Sequence, residues 1–203
     1  IPDEAGSDNL SGKLSHNIPF KIPHAFIGIQ SRFSNFKKTA SFIDSIAFDL
    51  LVVLSGPEPQ RTFLETELKK KLKNSTENVL LVQGRTERHT IIQDGNITVI
   101  SYLNTNDLYA ALQKAQKIIC RSGYSTIMDL AVLGKKAILI PAQGQTEQEF
   151  LAETLAQKGF AIECSQDMLD IENAMMQLNN ITGFSNHATS NRGLEAELEK
   201  HLT

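Results

Sequence analysis

The chain has 203 residues, 41% of them hydrophobic and 21% charged, with a formal net charge of −3 at pH 7. A chain of this length can bury about 70% of its unfolded surface, so it needs neither disulfide nor metal to hold a core. The hydrophobic share excludes global disorder. The slight acidity excludes the basic footprint of a non-specific nucleic-acid binder. No apolar run approaches the roughly 18 residues of a membrane-spanning helix.

Residues 1–24 carry Pro2, Gly6, Gly12, Pro19 and Pro23 with small polar residues and no sustained period, so they read as a linker or surface arm. Ala25–Gln30 then reads as a first short strand. Leu50–Leu54, Val79–Val82, Ile97–Ile100, Ile118–Cys120, Ala137–Ile140 and the shorter Ala161–Glu163 follow it. The first five of these are apolar on both faces, as strands of a helix-covered parallel sheet are. Helical stripes separate them. Phe63, Leu64, Leu68 and Leu72 follow Pro59, and Leu108, Leu112 and Ala115 follow the caps at Asn104–Asn106. Ile127, Leu130, Ala131 and Leu133 end at Gly134, and Phe150, Leu151, Leu155 and Ala156 end at Gly159. Leu169, Ile171 and Met175 mark a fifth helix, and Leu194–Leu202 a last, more polar one. Strand–helix alternation of this kind predicts an α/β fold, a doubly wound, mostly parallel sheet with helices on both faces over residues 25–180. Residues 181–203 form a C-terminal loop and helix.

In an open parallel sheet, ligands bind outside the carboxyl ends of the strands. Those ends are Gln30-Ser31-Arg32, Ser55-Gly56-Pro57-Glu58, Gln83-Gly84-Arg85, Ser101-Tyr102-Leu103, Arg121-Ser122-Gly123 and Pro141-Ala142-Gln143-Gly144. Small residues admit a ligand to the backbone, helix N-termini present free N–H groups, and arginine forks fit phosphate oxygens. The composition of this edge is equally that of ordinary βα turns, so a phosphorylated ligand is a working expectation. The five histidines, His16, His24, His89, His187 and His201, show no ligand spacing, and no metal or cofactor is expected. Cys120 and Cys164 match no metal or redox spacing, which predicts two free thiols and a cytoplasmic protein. The chain opens on Ile1 without a signal-peptide pattern, so a piece of a longer chain is expected.

Residues 118–150 contain Arg121-Ser122-Gly123, Asp129, Gly134, Pro141 and Gln148. In that order and spacing they resemble the nucleotide-sugar-binding C-terminal half of a GT-B glycosyltransferase of family 28. That family includes the peptidoglycan N-acetylglucosaminyltransferase, and the resemblance covers residues 25–165. It implies that Asp129 binds ribose hydroxyls, although the family usually has Glu there. It implies that Ser122 and Gly123 lie against the diphosphate or sugar and that Gln148 reads sugar hydroxyls. Glu149 stands where the family often has a second glutamine. Arg32 matches an arginine near the diphosphate, and the main chain of Tyr102 and Leu103 stands where the uracil edge is read. Gly56 lies in the counterpart of a glycine-rich turn, but Pro57 and Pro59 have no N–H to give a phosphate.

The resemblance thus implies the donor-binding half of an inverting enzyme that takes a sugar, N-acetylglucosamine or a relative, from a UDP-sugar. No cofactor takes part, and the acceptor domain and general base lie in a missing N-terminal half. The partners implied are a UDP-sugar, that missing domain, and a lipid-linked or membrane-surface acceptor. Peripheral contact with the inner face of the membrane follows from such an acceptor. The run Lys69-Lys70-Lys71 with Lys73 could touch an anionic membrane, but it reads first as a helix C-terminus complementing the macrodipole. Two other readings remain open: a UDP-sugar 2-epimerase, for which no acid–base set stands out, and a non-catalytic nucleotide-sugar-binding scaffold.

Overall fold

A computed structural model describes residues 1–16, 18–184 and 192–202. His187 lies outside these residues, as does most of the loop before the last helix.

The elements run β1 (Leu50–Val53), α1 (Gln60–Leu72), β2 (Val79–Val82), β3 (Ile91–Asp94), β4 (Ile97–Ile100), α2 (Thr105–Lys114), β5 (Lys117–Cys120), α3 (Tyr124–Leu133), β6 (Ile138–Leu139), α4 (Thr146–Gln157), β7 (Ile162–Glu163), α5 (Ile171–Gln177) and α6 (Arg192–Leu202). One seven-stranded sheet has the order β3-β4-β2-β1-β5-β6-β7. All its pairs are parallel except β3 with β4. The expected α/β architecture is the one found.

The pleat explains why the strands read as unbroken apolar runs. Successive side chains point to opposite faces, and here both faces are covered. Leu51, Leu80, Ile118 and Leu139 pack with α2, α3 and α4 on one face. Leu50, Val52, Leu81, Ile119 and Ile138 pack with α1 and α5 on the other. The caps sit where the sequence placed them. Asn104 accepts from the Asp107 N–H at the start of α2, and Gly134 ends α3 at φ 61°, a left-handed turn that favours glycine.

Two expectations need correction. Ala25–Gln30 forms no strand of the sheet. It is extended and bonded to the chain's own beginning: the Ile27 N–H donates to the Ile1 carbonyl (3.0 Å), the Gly28 N–H to the Asp3 carbonyl (3.1 Å), and the Ile1 amino group to the Ala25 carbonyl (2.7 Å). Strand β3 has no counterpart in the sequence reading. Its four residues are all exposed, so it lacks the apolar signature of its neighbours. The turn Asp94-Gly95-Asn96 makes it an antiparallel hairpin with β4, and Asp-Gly was the available signal.

Residues 1–16 are irregular apart from one 3-10 turn at Gly12–Leu14 and lie against the helical layer. Leu10 is fully buried, and the Tyr124 hydroxyl donates to the Pro2 carbonyl at 2.9 Å. Among the described residues no helix is long and apolar enough to cross a membrane.

Candidate donor-binding edge

Strand order reverses at β1, with β2 on one side and β5 on the other. A doubly wound sheet opens its ligand crevice at such a switch point. Register aligns the exits: Val53 pairs with both Val82 and Cys120, Val82 with Ile100, and Cys120 with Leu139. Gly56, Gly84, Tyr102 and Gly123 therefore leave the sheet at one level.

Asp129 lies in the second turn of α3 and is 4% exposed. The macrodipole acts mainly over the first turn, so it is not what holds this charge. The carboxylate accepts from the Ser31 hydroxyl at 2.7 Å and from Arg32 Nε and a terminal guanidinium nitrogen at 2.9 and 2.8 Å. Three of about four lone-pair sites are thus occupied within the chain. Arg32, half exposed, sits on Asp129 here, a partnership that no local pattern in the chain announces. The contact joins residues 97 and 98 positions apart in the chain.

Ser122 is fully buried, and its hydroxyl donates to the Gln148 carbonyl at 2.8 Å, tying the end of β5 to the start of α4. Gly123 is the N-cap of α3 with no side-chain cap, and the space beside it is open. The Gln148 Oε1 accepts from the Ala142 N–H at 3.1 Å, and Glu149 accepts from the Gly144 N–H at 2.9 Å. Both side chains hold the loop between β6 and α4. The main chain of Tyr102 and Leu103 makes no hydrogen bond among the described residues, and the Tyr102 ring meets His89 edge to face.

The two helix N-termini beside the switch point differ. At α1, Glu58 already occupies the anion position: its carboxylate accepts from the Thr62 N–H (3.2 Å) and hydroxyl (2.7 Å) and from Arg61 (2.8 Å). These bonds, those from Thr62 first, hold the Glu58 carboxyl down at about 2. Gly56, at φ 99°, lies beside this internal anion. At α3 no side chain takes that place.

Arg121 was expected at the edge only as part of the motif; the structure gives it a distinct position. It is 2% exposed and donates to the carbonyls of Ile140 (3.2 Å), Pro141 (3.0 Å) and Gln60 (3.3 Å) and to the side chain of Gln166 (2.7 Å). All four acceptors are neutral. Burial pulls its pKa down to about 10, which leaves it charged at neutral pH. Arg32, Arg61 and Arg85 all pair with carboxylates. Arg121, among the described residues, has none. Its uncompensated charge lies between the end of β6, the first turn of α1 and the chain after β7.

The glycosyltransferase family 28 C-terminal domain model matches residues 50–201. The chain belongs to that family. It is similar to the UDP-N-acetylglucosamine--N-acetylmuramyl-(pentapeptide) pyrophosphoryl-undecaprenol N-acetylglucosamine transferase of Alkaliphilus metalliredigens, with 30% identity over 141 residues covering 64% of this chain and 38% of that protein. The chain thus spans well under half the length of that relative. The crystal structure of Acinetobacter baumannii MurG shares the fold at a TM-score of 0.57 with 17% identity, over 80% of this chain and 54% of that one. Spinosyn forosaminyltransferase SpnP does so at 0.60 with 15% identity, over 89% and 52%.

Proposed function

We propose that this domain of a family 28 glycosyltransferase binds the UDP-sugar donor at the crevice between β1 and β5. The observation that carries the reading is the contrast at the two helix N-termini. The α1 end is filled by Glu58, whereas the α3 end is uncapped and fronted by a glycine with open space. A diphosphate fits the second. N–H groups there also offset the charge that develops on the leaving diphosphate.

The other contacts follow from this placement. The unpaired main chain of Tyr102 and Leu103 offers donors and acceptors to a uracil edge. Gln148 reaches the sugar from the first turn of α4, beside Glu149. Asp129 receives the ribose diol. A diol needs two acceptor positions, so Arg32 turns from the carboxylate onto the diphosphate as the ribose arrives, and its half-exposed side chain is free to do so. Gly56 contributes close approach rather than a phosphate cradle. The donor sugar is N-acetylglucosamine or a relative, passed with inversion to an acceptor hydroxyl. The longer protein would bring an N-terminal acceptor domain, a lipid-linked acceptor and peripheral contact with the membrane face.

Calorimetric titration with UDP, UDP-N-acetylglucosamine and AMP tests the reading. Micromolar binding of the two uridine ligands with none of AMP is the expected result. No binding of UDP at millimolar concentration would overturn it in favour of a scaffold.

A further inference from the structure

Strand β3 forms one edge of the sheet, with β4 and β2 between it and the switch point at β1. Its register sets Ile91 beside Ile100 and Ile92 beside Val99. Ile100 and Val99 are 0% and 4% exposed and belong to opposite core layers. Ile91 and Ile92 carry the same two apolar rows one strand further, yet they are 51% and 57% exposed. The sheet thus runs on past its helical cover. The backbone is open as well. The Ser101 N–H donates to the Thr90 carbonyl at 3.1 Å. Antiparallel bonds alternate along a strand, so Thr90, Ile92 and Asp94 turn their main-chain groups toward β4, and Ile91 and Gln93 turn theirs outward. Native edges are commonly blunted by lysine, proline or a bulge. The sequence of β3, Ile-Ile-Gln-Asp, holds neither residue, and its register runs without a bulge.

The charges at the two ends of the strand decide what fits this edge. Arg88 is exposed and has no hydrogen-bond or ion-pair partner among the described residues. His89, next to it, packs edge-on against Phe42 and Tyr102, which steadies the chain leading into β3. At the other end Asp94 meets Lys73 at 3.8 Å, a loose pair with both side chains more than half exposed. An antiparallel copy of the same strand, related by a two-fold axis through Ile91, answers both ends at once. Ile91 then exchanges its free main-chain bonds with Ile91 of the copy, and Gln93 exchanges its own with His89 of the copy. The two Ile91 side chains meet at the axis, and each Arg88 stands directly opposite an Asp94, where opposite charges attract. Moving the axis to Ile92 keeps outward groups paired but sets Asp94 opposite Thr90 and Arg88 opposite Asn96. The charges therefore select the first register.

We propose that β3 is a self-association edge, at which a second copy of this chain pairs β3 to β3, antiparallel, into one continuous sheet. Main-chain bonds from Ile91 and Gln93 give the contact its strength, the two isoleucine rows give it apolar cover, and the Arg88–Asp94 pairs fix its register. A contact built on so short a strand buries less than the roughly 1,200 Å² of a tight interface, so the dimer is a weak one in exchange with monomer. The inference is independent of the donor-binding reading, because the crevice between β1 and β5 lies elsewhere in the sheet.

The test uses the protein at its natural full length. Sedimentation equilibrium reads the dissociation constant of the dimer, expected at about 10⁻⁴ M for a contact of this size. Ile91→Lys sets two ammonium groups against each other at the axis and should weaken the dimer about tenfold or more. Arg88→Asp and Asp94→Arg each place like charges opposite one another, and each should weaken it about fivefold or more. The double variant, which reverses both signs, should return to within about twofold of the parent. Amide exchange read residue by residue gives a second measure. Ile91 and Gln93 should exchange fast in dilute protein and about tenfold more slowly in concentrated protein, while Ile92 stays protected in both. A parent that is still monomeric at about 1 mM overturns the proposal. So does a dimer that ignores these substitutions, or a double variant as weak as the single ones. Ile91 and Gln93 amides already protected in dilute monomer would mean that another part of the longer chain covers the edge, and that result overturns it too.

Discussion

Replacing Asp129 with alanine separates a structural anchor from a ligand contact, because the structure assigns it the first role and the family resemblance the second. The substitution removes three hydrogen bonds to a buried carboxylate. The two from Arg32 involve a side chain that is 50% exposed. Solvent screening therefore limits that ion pair to about 1 kcal/mol. The bond from the Ser31 hydroxyl to the charged, buried oxygen contributes about 1.5–3 kcal/mol. Together the loss is about 2–4 kcal/mol, or a fall in Tm of about 4–16 °C at 2–4 °C per kcal/mol for a chain of this size. Differential scanning calorimetry reads that number. If the carboxylate also holds the ribose, UDP binding weakens by a further 1–3 kcal/mol, about 5–150-fold by titration calorimetry. Asp129→Asn, which keeps the shape, separates charge from packing. A lowered Tm with unchanged UDP affinity would make Asp129 a pure anchor and refute the ribose assignment. An unchanged Tm would refute the anchor itself.

Three further outcomes are expected. Carboxyl NMR should place the Glu58 midpoint near 2, against 4.5 for a free glutamate side chain. Because the folded value is the lower, the stability this cap contributes is present above about pH 4.5 and disappears as pH falls toward 2; a midpoint near 4.5 would mean the α1 N-terminus is open to an outside anion. Burial pushes the Cys120 thiol up to about 12 and moves Cys164 upward as well, so native protein should not react with a thiol reagent at pH 8 and its Tm should ignore reductant; an intramolecular disulfide in the unreduced mass spectrum would contradict this. Gly84→Ala should cost at least about 1–2 kcal/mol in chemical denaturation, the penalty of a left-handed residue with a side chain, since φ is +70° and the new Cβ would sit 2.6 Å from the Leu54 carbonyl oxygen; an unchanged midpoint would mean the loop has moved.

The strands and helices that build the sheet were legible because their signals are local. A run such as Val79–Val82, buried on both faces, or a helix that ends at Gly134 in a left-handed turn, depends on spacing within a few residues. The same locality placed Gly123 and Gln148 at helix starts, and the resemblance along residues 118–150 carried the family. Strand β3 escaped because an exposed edge strand needs no apolar pattern, only a turn. Ala25–Gln30 has the composition of a strand, but its backbone partners are Ile1 and Asp3 rather than the sheet, and partners are a matter of topology. The rest was decided between residues far apart in the chain. Asp129 and Arg32 were each expected to face a ligand, and tertiary contact turned them toward one another. Arg121 reads in the sequence like any edge arginine, and only the packing of β6, α1 and the chain after β7 shows it buried among neutral carbonyls. The packing of the first sixteen residues carries no motif, since Leu10, Pro2 and Gly12 find their places only as the segment folds back onto α3 and α4. Hydrophobic period and turn chemistry are written in neighbouring residues; which charge meets which is fixed when the chain closes on itself.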